Sequence, residues 1–134
     1  MRIVVDTNVV ISAIIRDNVP EKIISWIVSQ PTIEWIASAG IIQEYREVLQ
    51  RKKFKLSNEI IIRWLNLFAK ELTVIQSDFT INFPRDIKDA KFLECAVAGY
   101  ADVFITGDKD FSEAQKLIET QIMSIAEFNA VFLK

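Results

Sequence analysis

Short apolar runs alternate along the chain with segments whose apolar residues recur every three or four positions. The runs lie at residues 2–5, 32–37, 102–106 and 121–123. Their β-branched content and lack of regular polar alternation are typical of parallel strands covered on both faces. Residues 72–83 fit either a strand or an extended loop. The pattern therefore predicts at least four strands.

Helical periodicity fills the intervals between these runs. Thr7 or Asn8 is expected to cap the first helix, and Ser38 and Ser124 are expected to cap two later ones. Strands that alternate with helices predict one α/β domain over residues 1–134, with a mostly parallel sheet. The helices are expected over residues 7–15, 20–30, 39–51, 58–71, 86–100 and 125–132.

The helix expected over residues 86–100 carries an aspartate in its apolar stripe. At about 100° per residue, Asp89, Leu93 and Tyr100 fall on one line, whereas Lys91 points away from it. A carboxylate that faces the core is costly unless it is paired or binds a metal. The stripe therefore marks Asp89 as a candidate functional residue.

Acidic residues from four segments are expected at one edge of the sheet. Asp6 follows the first strand directly, and Asp108 and Asp110 follow a later strand. Asp89 and Glu44 lie near the starts of helices. In open α/β sheets, the carboxyl ends of strands and the amino ends of the following helices share the edge where ligands bind. Crowded carboxylates repel one another, and a bound divalent cation removes that cost.

Each acid also has an ordinary structural interpretation. Asp86 and Asp89 resemble a helix-capping pair, and Asp6 fits a turn or cap residue. Glu44 borders the apolar face of its helix and fits a flanking surface charge. Asp108 fits a Gly-Asp turn after a strand. The joint pattern favours metal binding over these separate explanations.

The composition restricts the chemistry that these acids can perform. The 134 residues are 51% apolar and carry a formal net charge of −2, so the broad basic footprint of many nucleic-acid binders is absent. No histidine occurs, which excludes His-based triads and His-containing zinc sites. Oxygen ligands suit one or two Mg²⁺ or Mn²⁺ ions, and such ions activate water for phosphodiester hydrolysis.

The sequence also predicts a cytoplasmic protein. Cys95 is the single cysteine, so no intrachain disulfide can form, as is usual in a reducing compartment. The first residues lack the pattern of a secretory leader, and no apolar run is long enough to span a membrane.

Four segments resemble the PIN domain family, in the right order and over nearly the whole chain. They read IVVDTNVVISAII, SAGIIQEYREVLQRKKF, RDIKDAKFLECAVAGYADVFITGDKDF and IMSIAEF. The most similar subgroup is the toxin component of toxin–antitoxin systems, related to the VapC-like toxins. The resemblance implies a three-layer α/β/α sandwich that acts as a metal-dependent endoribonuclease on RNA. It also implies an antitoxin partner, and homodimers are common in the family.

The resemblance assigns roles to individual residues. It implies metal-binding and catalytic roles for Asp6, Glu44, Asp89 and Asp108. Asp110 matches a more variable metal-binding acid. Supporting roles fall to Asn8, Thr106 and Asp86. Acids often occur in this subgroup where Lys88 and Ala90 stand here, which leaves open whether one or two ions bind.

Two further segments have alternative interpretations. Arg51, Lys52, Lys53 and Lys55 form a basic connector that fits contact with an RNA backbone, or a solvated loop. The apolar helix over residues 58–71 fits either a subunit or antitoxin interface or a buried core helix.

Two other functions compete with the nuclease. A haloacid-dehalogenase-like phosphatase also begins with a strand that ends in an aspartate, but Asn8 stands where its second aspartate is expected. A PIN-like module that binds RNA or protein without catalysis is the other alternative.

Overall fold

A computed structural model of the chain describes residues 1–15, 18–76 and 90–133. Five parallel strands form one sheet in the order β3-β2-β1-β4-β5. The strands are β1 (Arg2–Val5), β2 (Glu34–Ala37), β3 (Leu72–Val74), β4 (Val103–Ile105) and β5 (Gln121–Met123). The four strands predicted from apolar runs are confirmed, and the ambiguous segment supplies β3.

Helices occupy the predicted intervals with small shifts at their ends, and the predicted start of the helix over residues 86–100 lies outside the described residues. They are α1 (Thr7–Ile14), α2 (Asn18–Ser29), α3 (Ala39–Leu49), α4 (Asn58–Glu71), α5 (Ala90–Ala98) and α6 (Ile125–Phe132). Two 3-10 helices cover Lys52–Phe54 and Lys109–Lys116. In the described ranges, no helix is long and apolar enough to cross a membrane.

Two of the three predicted helix caps are present in the structure. The Ser38 hydroxyl accepts a hydrogen bond from the Ile41 N–H at 3.3 Å, and Ser124 forms a capping box with Glu127. The prediction for α1 is wrong, because its N-cap is Asp6 rather than Thr7 or Asn8. The helix starts immediately after β1, so the carboxylate that ends the strand also begins the helix.

The strand order explains why helices cover both faces. From β1 to β2 to β3 the chain moves outward in one direction, and right-handed crossovers place α1 to α4 on one face. The chain then returns past β1 to β4, so the crossover through α5 lies on the opposite face. Helix α5 contacts β1, β2 and β4, whereas α6 packs on α2. The predicted three-layer α/β/α sandwich with a parallel sheet is confirmed.

Aromatic clusters mark the core on each side of the sheet. Edge-to-face and tilted contacts link Trp35, Tyr45 and Phe68 on the side of α3 and α4. Phe92, Phe104 and Phe111 form a second cluster beneath α5. Buried aromatic pairs of this geometry contribute roughly 0.5–1.5 kcal/mol each beyond the area that they bury.

Gln115 covers the outer edge of the sheet at β5. Its Oε1 accepts a hydrogen bond from the Ile122 N–H at 2.8 Å, and its Nε2 donates to the Thr120 carbonyl at 2.8 Å. Unpaired groups on an edge strand are a template for aggregation. One side-chain amide therefore occupies positions that another strand would otherwise take.

The sequence pattern misplaces Tyr100. Helical periodicity puts it on the inward line of the helix that begins near residue 86, but its side chain is 86% exposed. Helix α5 ends at Ala98, and Tyr100 adopts a φ of 52°, so helical periodicity no longer applies to it. The Ala101 N–H donates to the Ala96 carbonyl at 2.8 Å and closes the turn.

Helix α4 is a surface helix. Phe68 is its one buried residue, which rules out the interpretation of residues 58–71 as a buried core helix. Trp64 and Leu67 contribute instead to a cavity of about 180 Å³ shared with α1 and α2, which apolar and polar residues line together.

Replacing Gly99 by alanine should destabilise the protein. A Cβ atom there would lie 2.4 Å from Cδ1 of Ile36 and 3.1 Å from the Cys95 carbonyl oxygen. Because Ile36 is fully buried, we expect Gly99→Ala to lower the free energy of unfolding by about 1–3 kcal/mol in urea denaturation. Gly40→Ala is the control, since no atom lies within 4 Å of its added Cβ. Equal losses in the two variants would contradict this packing argument.

Candidate acidic site

The site is built where the strand order reverses, between β1 and β4. Val5 pairs with Ile105 in register, so Asp6 and Thr106 follow side by side at the carboxyl ends of the two strands. The Asp6 N–H donates to the Ile105 carbonyl at 2.9 Å. The Thr106 hydroxyl donates to Asp6 Oδ2 at 2.6 Å. This reversal is the position at which open parallel sheets bind ligands.

Thr106 also orders the loop that carries the next two acids. Its hydroxyl oxygen accepts a hydrogen bond from the Asp108 N–H at 3.0 Å. Asp108 Oδ1 accepts from the Asp110 N–H at 2.9 Å and caps the second 3-10 helix. Thr106 is 4% exposed, so one buried hydroxyl fixes both the Asp6 carboxylate and the path of the loop.

Tyr45 anchors the helix that carries Glu44. The fully buried Tyr45 hydroxyl donates to the Val5 carbonyl, one residue before Asp6. Burial raises the pKa of Tyr45 well above its ordinary value, so the hydroxyl remains a donor. Tyr45 is one of the buried residues of α3, and nothing in the sequence pattern identifies a partner for its hydroxyl. A buried tyrosine usually finds one, and that rule was the available signal.

The electrostatics of the site disfavour ionised Asp6. Burial raises the pKa of Asp6 above its ordinary 3.8, and the negative charges of Asp108 and Glu44 raise it further. The Thr106 hydroxyl and the backbone of Asn8 act in the opposite direction. The negative charges of Glu44 and Asp108 therefore both reach Asp6, whereas the convergence of these acids on one metal ion stays a prediction.

Lys91 is a residue of this region that the sequence did not identify. Its ammonium forms an ion pair with Glu44 Oε2, and the two side chains are 28% and 30% exposed. Helical periodicity turned Lys91 away from the apolar stripe, so the sequence pattern provided no reason to place it at the site. The length of the lysine side chain carries its charge across to α3.

Other predicted residues are less central or lie outside the described structure. Asp86 and Asp89 belong to residues 77–89, which the structure does not describe. Asn8 and Asp110 are exposed near the site. The basic residues of the predicted RNA contact, Arg51, Lys52, Lys53 and Lys55, are all exposed around the first 3-10 helix.

The donors present suit a hard divalent cation, although they do not form a complete cage. In residues 1–15, 18–76 and 90–133, no three acidic or cysteine side chains are grouped closely enough to hold a metal. The available ligands are nevertheless carboxylate and hydroxyl oxygens, which fit Mg²⁺ or Mn²⁺. The Thr7 hydroxyl beside Asp6 is buried without a hydrogen-bond partner. A cation near Asp6 would offset the negative charge that raises its pKa.

Comparison with known proteins places the chain in a family. A family model described as PIN domain matches residues 2–110. The chain belongs to the PIN domain family. A curated relative, the uncharacterized protein MJ1680 of Methanocaldococcus jannaschii, is 33% identical over 114 residues, which are 82% of this chain and 72% of that protein.

Solved structures agree with this PIN fold. A chain in the structure of VapBC-1 from nontypeable Haemophilus influenzae aligns with a TM-score of 0.61 at 24% identity, covering 94% of this chain and 99% of that one. A chain of VapBC2 from Rickettsia felis, bound to a DNA fragment from their promoter, aligns with a TM-score of 0.61 at 14% identity. That alignment covers 92% and 98% of the two chains. Together with the family match, these results favour the PIN interpretation over a haloacid-dehalogenase-like phosphatase.

Removing the Thr106 hydroxyl should lower the free energy of unfolding more than removing the Thr7 hydroxyl. We expect Thr106→Val to lower the free energy of unfolding by about 1–3 kcal/mol, because Asp6 Oδ2 and the Asp108 N–H both lose a partner. Thr7→Val should be neutral or stabilising, because its buried hydroxyl makes no hydrogen bond. Urea denaturation at pH 7 with EDTA compares the two. A larger loss at Thr7 would contradict the assigned hydrogen bonds.

Proposed function

We propose that this PIN domain is a Mg²⁺- or Mn²⁺-dependent endoribonuclease. We also propose that residues 1–134 form a single domain and that the protein acts in the cytoplasm. The observation that carries the proposal is Asp6, a carboxylate 5% exposed at the strand-order reversal, with Glu44 and Asp108 as negative neighbours. Such an arrangement destabilises the protein when no cation is bound. Its retention at the ligand-binding edge is therefore better explained by function than by folding.

The chain's own residues supply positioning and negative charge. Thr106 holds Asp6 Oδ2 by a hydrogen bond, and the backbone of Asn8 also stabilises the carboxylate. The Asp108 carboxylate is held by the Asp110 N–H, and the Tyr45 anchor sets the position of Glu44. A bound divalent ion would lower the pKa of a water molecule and orient it for attack on phosphorus.

Further ligands come from the family pattern. We propose Asp89 as the fourth principal acid, with metal-binding and catalytic roles like those of Asp6, Glu44 and Asp108. Asp110 is proposed as an auxiliary ligand. Asn8 and Asp86 are proposed to support the pocket, as Thr106 does through its hydrogen bonds. Whether one or two ions bind is decided by titration.

A second candidate function is a PIN module that binds RNA or protein without cleaving it. Two observations favour it. No cluster of three acids is assembled in the described ranges, and Glu44 is already paired with the Lys91 ammonium. Metal titration together with a cleavage assay separates the two functions.

Asp6→Asn should abolish cleavage and also stabilise the metal-free protein. Asparagine keeps an oxygen that can accept from Thr106 but removes the buried charge. We expect Mn²⁺-dependent cleavage of single-stranded RNA, followed on a gel, to fall by on the order of 100-fold or more. Glu47→Gln on the exposed side of α3 is the control and should retain activity. RNA cleavage by Asp6→Asn at the wild-type rate would overturn the nuclease proposal.

The stabilising effect of Asp6→Asn should depend on pH. Below the ordinary pKa of 3.8, the Asp6 carboxyl is protonated in both folded and unfolded chains, so the two proteins should differ little. As pH rises above 3.8, Asp6 ionises first in the unfolded chain, because its pKa is higher in the folded protein. Ionisation therefore lowers the free energy of the unfolded state more than that of the folded state. Wild type should therefore lose stability relative to the variant, with the full difference at neutral pH. Thermal unfolding in EDTA at several pH values measures this, and a difference that grows toward low pH would contradict it.

The basic connector is proposed to contact the RNA backbone. Neutralising Lys52 and Lys53 together by glutamine should weaken binding to single-stranded RNA of any sequence. The slope of log affinity against log salt should fall by about 0.7 for each phosphate that the variant no longer neutralises. Anisotropy of labelled RNA, measured in the Asp6→Asn background, tests this. Lys70→Gln is the control, and an unchanged slope in the Lys52 and Lys53 variant would exclude RNA binding by the connector.

A protein partner is also proposed. The aligned structures contain VapBC complexes, and by analogy we propose that an antitoxin restrains this chain. Trp64 and Leu67 of α4 line the cavity shared with α1 and α2. That surface is proposed for the antitoxin or for a homodimer, and copurification with the product of a neighbouring gene distinguishes the two.

A further inference from the structure

The ion pair between Lys91 and Glu44 joins two helices at the edge of the acidic site. Lys91 is the second residue of α5 and lies at its amino-terminal end, whereas Glu44 lies in the middle of α3. Both side chains are about two-thirds or more buried. An ion pair in this setting is less screened by solvent than one on the open surface.

The ammonium of Lys91 is held in place from more than one side. It lies 5.5 Å from the centre of the Phe92 ring, within the range of a cation–π contact. Lys91 also lines a cavity together with Ser38 and Gly40 at the start of α3 and with Gln76 after β3. The charge is therefore directed onto Glu44 rather than left free in solvent.

Among the described residues, Glu44 is also an acid whose negative charge reaches Asp6. Lys91 thus offsets part of the negative charge of the site in the metal-free protein. If Glu44 is one of the residues that hold a divalent ion, that ion would use the carboxylate that Lys91 contacts and would be repelled by the nearby ammonium.

We propose that Lys91 is an internal cation that competes with the divalent ion for Glu44 and so sets the affinity of the site. This inference rests on the metal site of the proposed function. For metal to bind Glu44, the Lys91 ammonium must either move away from Oε2 or share the carboxylate with the metal. Either change makes the free energy of metal binding less favourable. The Lys91 ammonium lowers the affinity of the site for the divalent ion. When no metal is bound, it offsets part of the negative charge of the site.

Mn²⁺ titration of Lys91→Met tests the competition. Methionine keeps much of the length of the side chain and removes the charge. We expect Mn²⁺ to bind roughly tenfold more tightly than to wild type, which corresponds to about 1.4 kcal/mol. Lys91→Arg should bind as wild type does, since the charge is kept. Lys70→Met, which makes the same change in net charge on the exposed end of α4, should have no effect.

A double-mutant cycle with Glu44→Gln separates competition from general repulsion. If Lys91 acts through Glu44, then Lys91→Met should tighten Mn²⁺ binding little once Glu44 is glutamine. Free Mn²⁺ measured by electron paramagnetic resonance reports the weaker affinities in this background. A tightening of the same size in both backgrounds would overturn the proposal.

Other outcomes also overturn it. Weaker binding in Lys91→Met would mean that Lys91 positions Glu44 for the metal, and unchanged binding would make the pair structural only. Absence of Mn²⁺ binding in both wild type and Lys91→Met would exclude the competition as well. RNA cleavage is measured on the same preparations. Mn²⁺ binding without cleavage would defeat the nuclease proposal, whereas the Lys91 inference would still be decided by the titration.

Discussion

The pairing of β1 with β4 is the constraint on which the rest of the structure depends. Because the chain leaves β1 on one side and returns to β4 on the other, the two strand ends form a crevice that no crossover fills. Register between Val5 and Ile105 then sets Asp6 against Thr106. Tyr45 ties α3 to the same strand end through the Val5 carbonyl. A buried carboxylate is tolerable here because a hydroxyl donor is fixed beside it.

Much of the fold follows from local pattern, because parallel strands buried on both faces leave a clear apolar signal. Residues 2–5 and 121–123 were predicted as the strands that the structure contains, and α4 was predicted with both of its ends. Strand β3 was ambiguous, since Leu72–Val74 is short and its pairing with β2 is a long-range property. Tyr100 was misplaced because a left-handed residue ends the periodicity on which the prediction rested.

For the acidic site, the sequence predicted where the candidate acids lie but not the contacts that they make. Parallel topology directs strand ends and helix starts to one edge, and the charges of Glu44 and Asp108 do reach Asp6, whereas a shared metal ion stays a prediction. The pairing of Glu44 with Lys91 could not be predicted, because the two residues are 47 positions apart and helical periodicity does not show how far a lysine side chain reaches. The role of Tyr45 required knowing which carbonyl its hydroxyl meets.

Gln115 shows how strongly the edge of this sheet depends on a single functional group. Its nitrogen donates to the Thr120 carbonyl while its oxygen accepts from the Ile122 N–H. Spontaneous deamidation would convert that nitrogen into a second carboxylate oxygen, which cannot donate and would face a carbonyl oxygen at close range. Loss of that one amide would therefore leave the Thr120 carbonyl on the outer edge of β5 without its side-chain donor, and the edge would become more open to pairing with another strand.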